Sequence, residues 1–439
     1  MMNRTIESGK TLLVDGPASV SVVSGKVEVF GSIMGNMRKV VVREGKRLPF
    51  TVKEKATFDI SLGESANVEE SDEDTIPSSW VKAYEELLNP QVKPFTAMVL
   101  GTVDSGKSSF CTFMINKLLT KGQKVAILDG DLGQSDIGPP CTVSYTFVTK
   151  PATDLFNLKA RNAFFVGFTS PTRAISKVIE GLTSLKQEIL SNNPDYIIIN
   201  TDGWVEGEDA INYKLQLVEK SNPKITFCLQ QKDELTSLLN ALKKFRKVVV
   251  NSPSAIRQRS RERRRSLREL GYIKYLRNAK VRSIPLSWLK IEEDELIGLG
   301  RHGGDIKQAR TIYKLLGMKP LHLAELRDRI SIVTGKRRWI NLDNIKKVEE
   351  ITKKRVVVVR KGEEEGLLVA LYDAERRFLG IGFLREIDYK RKVMKICTPV
   401  SDKISIVNVG RVKLDENLKE TPISTEENQL DFTTFENLF

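Results

Sequence analysis

Along residues 1 to about 62, apolar and polar positions alternate in short runs, Val20-Ser-Val-Val and Val27-Glu-Val-Phe among them, with glycine between the runs. Period-two alternation broken by glycine predicts short strands and turns, hence a small β domain. An acidic stretch, Glu64 to Asp74, interrupts the pattern and reads as a solvated linker. The segment that starts Pro77-Ser-Ser-Trp-Val-Lys-Ala-Tyr then predicts a capped helix.

From residue 95 to about 290 the pattern changes. Apolar runs at Ala97–Leu100, Lys124–Leu128, Tyr196–Asn200, Ile225–Leu229 and Lys247–Val250 read as strands. Helical spacing fills the gaps; Ile175, Val178, Ile179, Leu182, Leu185 and Ile189 mark one long amphipathic helix. Alternating strands and helices imply a parallel sheet that takes ligands at the carboxyl ends of its strands. Beyond residue 295, KRVVVVRKG, GLLVALYD, FLGIGFL, VMKICTPV and ISIVNVGRVKL read as short strands of a second β domain. The acidic, Ser/Thr-rich stretch from Asp415 to Phe439 reads as a flexible tail whose Phe432, Phe435, Leu438 and Phe439 could dock. The expected organisation is therefore a β domain with its acidic linker over 1–75, an α/β core over 76–292, a mixed, mostly-β domain over 293–414 and a tail over 415–439.

Composition narrows the function classes. With 439 residues, 40% of them hydrophobic, the chain can bury a large core in two or three domains. No apolar run reaches membrane-spanning length, and the start MMNRTIESGK lacks the apolar stretch of a signal peptide. Cys111, Cys141, Cys228 and Cys397 are scattered without a C-x-x-C pair, which points to a cytoplasmic, reducing setting and away from a disulfide framework or a zinc site. That His302 and His322 are the only histidines argues against histidine-based metal or acid–base chemistry. The net charge of +14 favours a polyanionic partner over a membrane.

The chemistry gathers around Gly101-Thr102-Val103-Asp104-Ser105-Gly106-Lys107-Ser108-Ser109, which fits G-x-x-x-x-G-K-[ST] and lies between a strand and an amphipathic segment. That context suits a phosphate-binding loop, with backbone N–H groups around the anion, Lys107 on the β- and γ-phosphates and Ser108 on Mg²⁺. Asp129-Gly-Asp131 ends the next strand in sequence and is expected beside that loop, one carboxylate serving the metal and the other an attacking nucleophile. A third strand ends in Asn200-Thr201-Asp202-Gly203-Trp204, where an exposed indole could stack on a nucleobase. Seven arginines fall within residues 257–268, from Arg257 to Arg268, on a segment that reads as a mobile basic helix closing over the site. The guanine-reading pattern [NT]-K-x-D is absent: the late strand runs Leu229-Gln-Gln-Lys232-Asp233.

Together, GTVDSGKSS, DGDLGQ, the GFTSP of Gly167–Pro171, NTDGWVEG and the arginine-rich segment resemble, in order, the polynucleotide 5′-hydroxyl kinase family. That family includes the kinase-type subunit of eukaryotic pre-mRNA cleavage factor, the ribosomal-RNA-processing kinases and archaeal relatives, and the archaeal type fits best. GKVEVFG and GLLVALYD…FLGIGFL…TPV extend the resemblance to both flanks. It implies a P-loop NTPase core with flanking β domains, ATP with Mg²⁺, and transfer of the γ-phosphate to a 5′-OH end of RNA, with DNA left open. By position, Lys107, Asp131, Arg259 and Arg264 would be catalytic, with Asp131 as base. Ser108 and Asp129 would serve Mg²⁺, and Gln134, Thr169, Ser170, Thr201, Gly203, Trp204, Arg263 and Arg265 would contact substrate. RNA-processing protein partners are implied as well. Two rivals stand beside this reading, a nucleotide-bound scaffold subunit and a nucleic-acid-stimulated NTPase.

Overall fold

The computed structural model describes residues 2–423 except 36–37, 89, 257, 293–296, 298, 300–308, 326–328 and 337–339. It divides into two compact units, residues 1–271 and 272–439.

In the first unit, seven antiparallel strands form an N-terminal sheet built on two long strands, Ala18–Val29 and Arg47–Leu62. Their apolar positions alternate as expected, so one face buries Val20, Val22, Phe50 and Phe58. The acidic stretch is not a linker. Its centre, Asn67–Ser71, pairs antiparallel with Thr11–Asp15 and forms the sheet edge. Charged side chains suit an edge strand because they discourage further strand addition.

The second sheet of this unit is the core. Its order is Asn162–Phe165, Thr142–Val148, Val125–Gly130, Tyr196–Thr201, Phe95–Gly101, Ile225–Gln230, Lys247–Asn251. The last five run parallel, and the first two are antiparallel additions absent from the sequence reading. The strand Phe95–Gly101 is buried along its whole length, as a parallel strand covered on both faces must be. Its neighbours are Tyr196–Thr201 and Ile225–Gln230, so the Asp129 strand stands one place further away than expected.

Trp80, on the helix Ser78–Glu85, fastens that helix to the core sheet and to the helix Lys107–Thr120. It packs edge-on against Phe110 at 5.2 Å and near Phe113 at 5.6 Å, and donates from Nε1 to the Asn251 carbonyl. Buried Asn116, on the helix Lys107–Thr120, donates to the carbonyls of Phe30 and Ala152. One apolar cluster includes residues of the N-terminal sheet, Trp80 and the helix behind the phosphate-binding loop.

In the second unit, Lys280–Pro285 pairs with Val393–Thr398, and Lys290–Glu292 with Ile406–Leu414. Both short strands belong to this unit's seven-stranded sheet, so the boundary expected at 292 falls too late. Four strands read from the sequence join this sheet, Leu367–Tyr372, Phe378–Asp388, Val393–Thr398 and Ile406–Leu414, whereas Arg355–Arg360 pairs elsewhere, with Arg329–Thr334. The region around 309–360 forms a module of its own: a three-stranded sheet with helices Ala309–Leu316 and Leu342–Thr352 around Ile312, Ile330, Ile332 and Val348. Of the acidic tail, Glu420–Thr421 pairs with Ile406–Leu414, while Phe432, Phe435, Leu438 and Phe439 lie outside the described residues.

Candidate active site

The loop after Phe95–Gly101 turns through two left-handed residues, Asp104 at φ 58° and Gly106 at φ 94°, before the helix Lys107–Thr120 begins. A side chain at Gly106 would be strained at that φ, which is why glycine closes such a loop. The helix N-terminus then aims its unpaired N–H groups at the space above, a ready anion site. Ser105 Oγ is buried there without a hydrogen-bond partner. Lys107 is buried and folded onto the loop, its Nζ donating to Gly101 O at 3.0 Å and Thr102 O at 2.6 Å. Burial pulls its ammonium below the usual lysine range, against the opposing charge of Asp131.

A cavity of about 840 Å³ opens over this loop. It is lined by Val103 to Ser109, by Asp131 and Gln134, by Thr169 and Ser170, and by Asp202, Gly203 and Trp204. Arg259, Arg263 and Arg264 line it too, and Arg43, Lys46 and Arg47 enter from the N-terminal sheet. These parts of the site come from residues more than two hundred positions apart.

Asp131 holds its own turn: Oδ1 accepts from the backbone N–H of Gly133 at 3.1 Å and of Gln134 at 2.9 Å. Burial raises its carboxyl to about 6, with Lys107 pulling the other way and Asp202 adding to the rise. Asp129 is different. It is fully buried, does not line the cavity, and accepts from Asp131 N, Asn200 Nδ2, Ser135 Oγ, Asp136 N and Ile137 N. Burial first, then Asp136 and Asp131, push its carboxyl up to about 7. Both oxygens are committed to protein donors, so direct metal ligation is corrected here to a role in holding the 131–137 loop.

Thr201 also leaves the substrate set. It is buried, and its hydroxyl donates to the Val99 carbonyl at 2.8 Å. The turn that follows carries the contacts instead. A Cβ on Gly203 would come within 2.6 Å of the Val103 backbone N, so only glycine lets this turn lie against the phosphate-binding loop. Trp204 stacks its ring on Tyr213 at 5.7 Å between centroids, and its backbone N–H donates to Asp202 Oδ1. Asp202 is in turn fixed by Tyr213 Oη at 2.8 Å and by the wholly buried Lys214, whose Nζ meets both its carboxylate and its carbonyl at 2.9 Å. Burial lowers the Lys214 ammonium, with Asp202 opposing.

The arginine-rich segment becomes the helix Arg261–Leu276, docked in place by specific bonds. Arg259 donates from its backbone N and from Nη1 to Asp104, and from Nη2 to the Gly45 carbonyl. Arg264 reaches the Arg259 carbonyl and lies 3.6 Å from Asp104. Gln134, expected on the substrate, donates from Nε2 to the Arg264 carbonyl at 2.9 Å and to the Gly133 carbonyl. Arg263 pairs with Glu44 at 2.7 Å. Arg265 is turned to Glu269 and stands outside the cavity, whereas Arg261 and Arg268 line it. Arg257 lies outside the described residues.

No motif pointed to a further group, Arg43 with Asp136 and Asp154. Arg43 bonds both carboxylates and lies over the Phe156 ring at 4.5 Å. Burial disfavours the Asp154 anion, yet Lys46 and Arg43 pull its carboxyl down to about 2. Asp136 lies in the loop held by Asp129, so Arg43 ties the N-terminal sheet to the segment that carries Asp131. Among the described residues, no three His, Cys, Asp or Glu side chains cluster as a metal site. For a triphosphate the fit is good: an anion-binding loop, a buried lysine, an orphaned hydroxyl and five arginines of the docked segment, the lid, share one cavity.

Residues 101–278 match the family described as mRNA cleavage and polyadenylation factor CLP1 P-loop. The chain is 31% identical over 345 residues to the polyribonucleotide 5′-hydroxyl-kinase of Methanocaldococcus jannaschii, covering 75% of this chain and 89% of that protein. It is 29% identical over 341 residues to the corresponding protein of Pyrococcus furiosus, covering 76% and 92%. In fold, it is similar to the solved wild-type Clp1p–Pcf11p complex, with a TM-score of 0.66 at 13% identity over 94% of this chain and 97% of that one. The matched P-loop region and the near-full coverage of the archaeal relatives lead to one conclusion: the chain belongs to the polyribonucleotide 5′-hydroxyl-kinase family.

Proposed function

We propose that this protein transfers the γ-phosphate of ATP to the 5′-hydroxyl end of RNA. The observation that carries the reading is the meeting of Asp131, the Lys107 loop, the Trp204 turn and the docked arginines around one cavity. The phosphate-binding loop takes the triphosphate, with Lys107 turning from its loop carbonyls to phosphate oxygen. Trp204 offers a ring to the terminal base, and Asp131 accepts the proton as the 5′-oxygen attacks phosphorus. The new O–P bond forms as the bond to the β,γ-bridging oxygen breaks, and ADP leaves with that electron pair. Arg259 and Arg264 stabilise charge on the moving phosphoryl group.

Mg²⁺ belongs to the same proposal. The Ser108 hydroxyl at the helix N-terminus is the side chain suited to hold it, since a nucleotide-bound Mg²⁺ keeps most of its ligands as phosphate oxygens and water. When bound, that ion neutralises charge on the phosphates. Cytoplasmic residence and RNA-processing protein partners complete the reading; the scattered cysteines and the basic balance support them.

The test is transfer of label from ATP to a 5′-OH oligoribonucleotide, with 5′-phosphorylated RNA and 5′-OH DNA as parallel acceptors. Label on 5′-OH RNA alone supports the reading. ATP hydrolysis without labelled RNA contradicts it and favours a nucleic-acid-stimulated NTPase.

A further inference from the structure

An acidic side chain inside a phosphate-binding loop needs a physical reason, because its charge opposes that of the ligand. Asp104 is such a residue. Its side chain is only 8% exposed, and it sits at φ 58°, a conformation that Asp and Asn tolerate best among residues with a Cβ. Among the described residues, its carboxylate bonds or pairs with arginines of the lid: Arg259 N at 2.9 Å, Arg259 Nη1 at 3.2 Å and Arg264 Nη1 at 3.6 Å. One negative charge thus brings two positive charges onto the loop, and the local balance turns positive. The other side of the lid is held from the N-terminal sheet. There the Gly45 carbonyl accepts from Arg259 Nη2 at 2.8 Å, Glu44 pairs with Arg263 at 2.7 Å, and Gly45 packs against Leu267. Gln134, next to the Asp131 turn, fastens the Arg264 carbonyl.

We infer that Asp104 is a positioning residue that docks the arginine lid onto the phosphate-binding loop, with Glu44 and Gly45 of the N-terminal sheet as the opposing clamp. This deepens the kinase reading and rests on it for its kinetic consequence. Asp104 touches no reacting atom; it acts through Arg259 and Arg264. A lid seated by a fixed carboxylate is already oriented when charge develops on the phosphoryl group, which is where pre-placed donors gain most.

Two measurements on the full chain test the inference. The first is steady-state kinetics of Asp104→Asn, which keeps the left-handed backbone and removes the charge. Losing charged hydrogen bonds to the lid should lower kcat about 10- to 100-fold. The KM for ATP should stay level or fall, because a repulsive charge has left the loop. Asp104→Glu should recover part of kcat. The second is limited trypsin digestion, since the lid is rich in cleavage sites once undocked. Asp104→Asn and Glu44→Gln should both be cut within residues 259–268 faster than wild type, and adding ATP should narrow the difference. Wild-type kcat together with wild-type lid cleavage in Asp104→Asn overturns the inference. So does a raised KM for ATP with kcat intact, which would make Asp104 a loop-building residue. The digestion needs no RNA: if wild type labels no RNA the kinase reading fails, and lid cleavage alone then decides whether Asp104 docks the lid.

Discussion

Replacing Lys214 by methionine should test the clasp, the turn Asp202–Gly203–Trp204, from beneath. Lys214 is fully buried, and its ammonium spans the carboxylate and the carbonyl of Asp202, each at 2.9 Å. Asp202 in turn holds the Trp204 N–H at 3.0 Å and takes the Tyr213 hydroxyl at 2.8 Å. Methionine keeps most of the volume but leaves a buried carboxylate with only neutral donors. Breaking a buried ion pair on one side costs about 3–5 kcal/mol, because the remaining charge has lost its partner. The Tyr213 hydroxyl and the Trp204 N–H still face Asp202, which argues for the lower end of that range. Denaturant unfolding of Lys214→Met should show that loss. Adding Asp202→Asn should restore part of it, because the uncompensated charge is then gone. The KM for 5′-OH RNA should rise while the KM for ATP changes little, since the clasp turn and not the helix behind Lys107 is disturbed. A single variant as stable as wild type, or a double variant worse than the sum of the singles, would refute the reasoning.

The raised carboxyl of Asp131 makes a pH prediction. A base must be ionised to accept a proton, and burial has moved this group up to about 6, so kcat/KM should fall on the acid side through that region. In Asp131→Asn the residual activity should lose that limb, whereas an unchanged limb assigns it elsewhere. Trp204→Ala should raise the KM for RNA, by about the 1–3 kcal/mol of one base–aromatic stack, and Trp204→Phe should recover much of it. An equal effect of both on stability with no change in KM would make the indole a cover for Tyr213. Trp80→Ala removes the ring between Phe110, Phe113 and the Asn251 carbonyl and should cost about 3–5 kcal/mol in unfolding free energy. A loss below about 1 kcal/mol would show that this ring does not anchor the helix Ser78–Glu85 to the core.

What could be read beforehand was local. The strand, the G-x-x-x-x-G-K-S spacing and the amphipathic segment lie within twenty-five residues, and the loop at Gly101–Ser108 is where they place it. Patterns that depend on partners far along the chain were misread. Asn67–Ser71 is too acidic to look like a strand until Thr11–Asp15 lies beside it. Thr142–Val148 alternates polar and apolar residues as Thr-Val-Ser-Tyr-Thr-Phe, a strand pattern that the sequence reading passed over, and both of its faces are buried. Sheet order was invisible too, so Asp129 was expected to touch the loop although Tyr196–Thr201 lies between. Arg43 meets Asp136 and Asp154 across 93 and 111 residues, a distance no motif spans. The lid showed its charge but not its partners. That Arg264 faces Asp104 while Arg265 turns to Glu269 depends on which side of the helix Arg261–Leu276 meets the loop.

The central claim is that one cavity joins a triphosphate site to an RNA-end site with Asp131 between them. The most direct measurement is a single-turnover reaction of enzyme, ATP and 5′-OH oligoribonucleotide, comparing wild type with Lys107→Ala and Asp131→Asn while ATP and RNA binding are followed separately. The account predicts rapid label transfer by wild type. It predicts lost transfer with weakened ATP binding in Lys107→Ala, and lost transfer with both ligands still bound in Asp131→Asn. Wild-type transfer rates in a folded Asp131→Asn protein would contradict it.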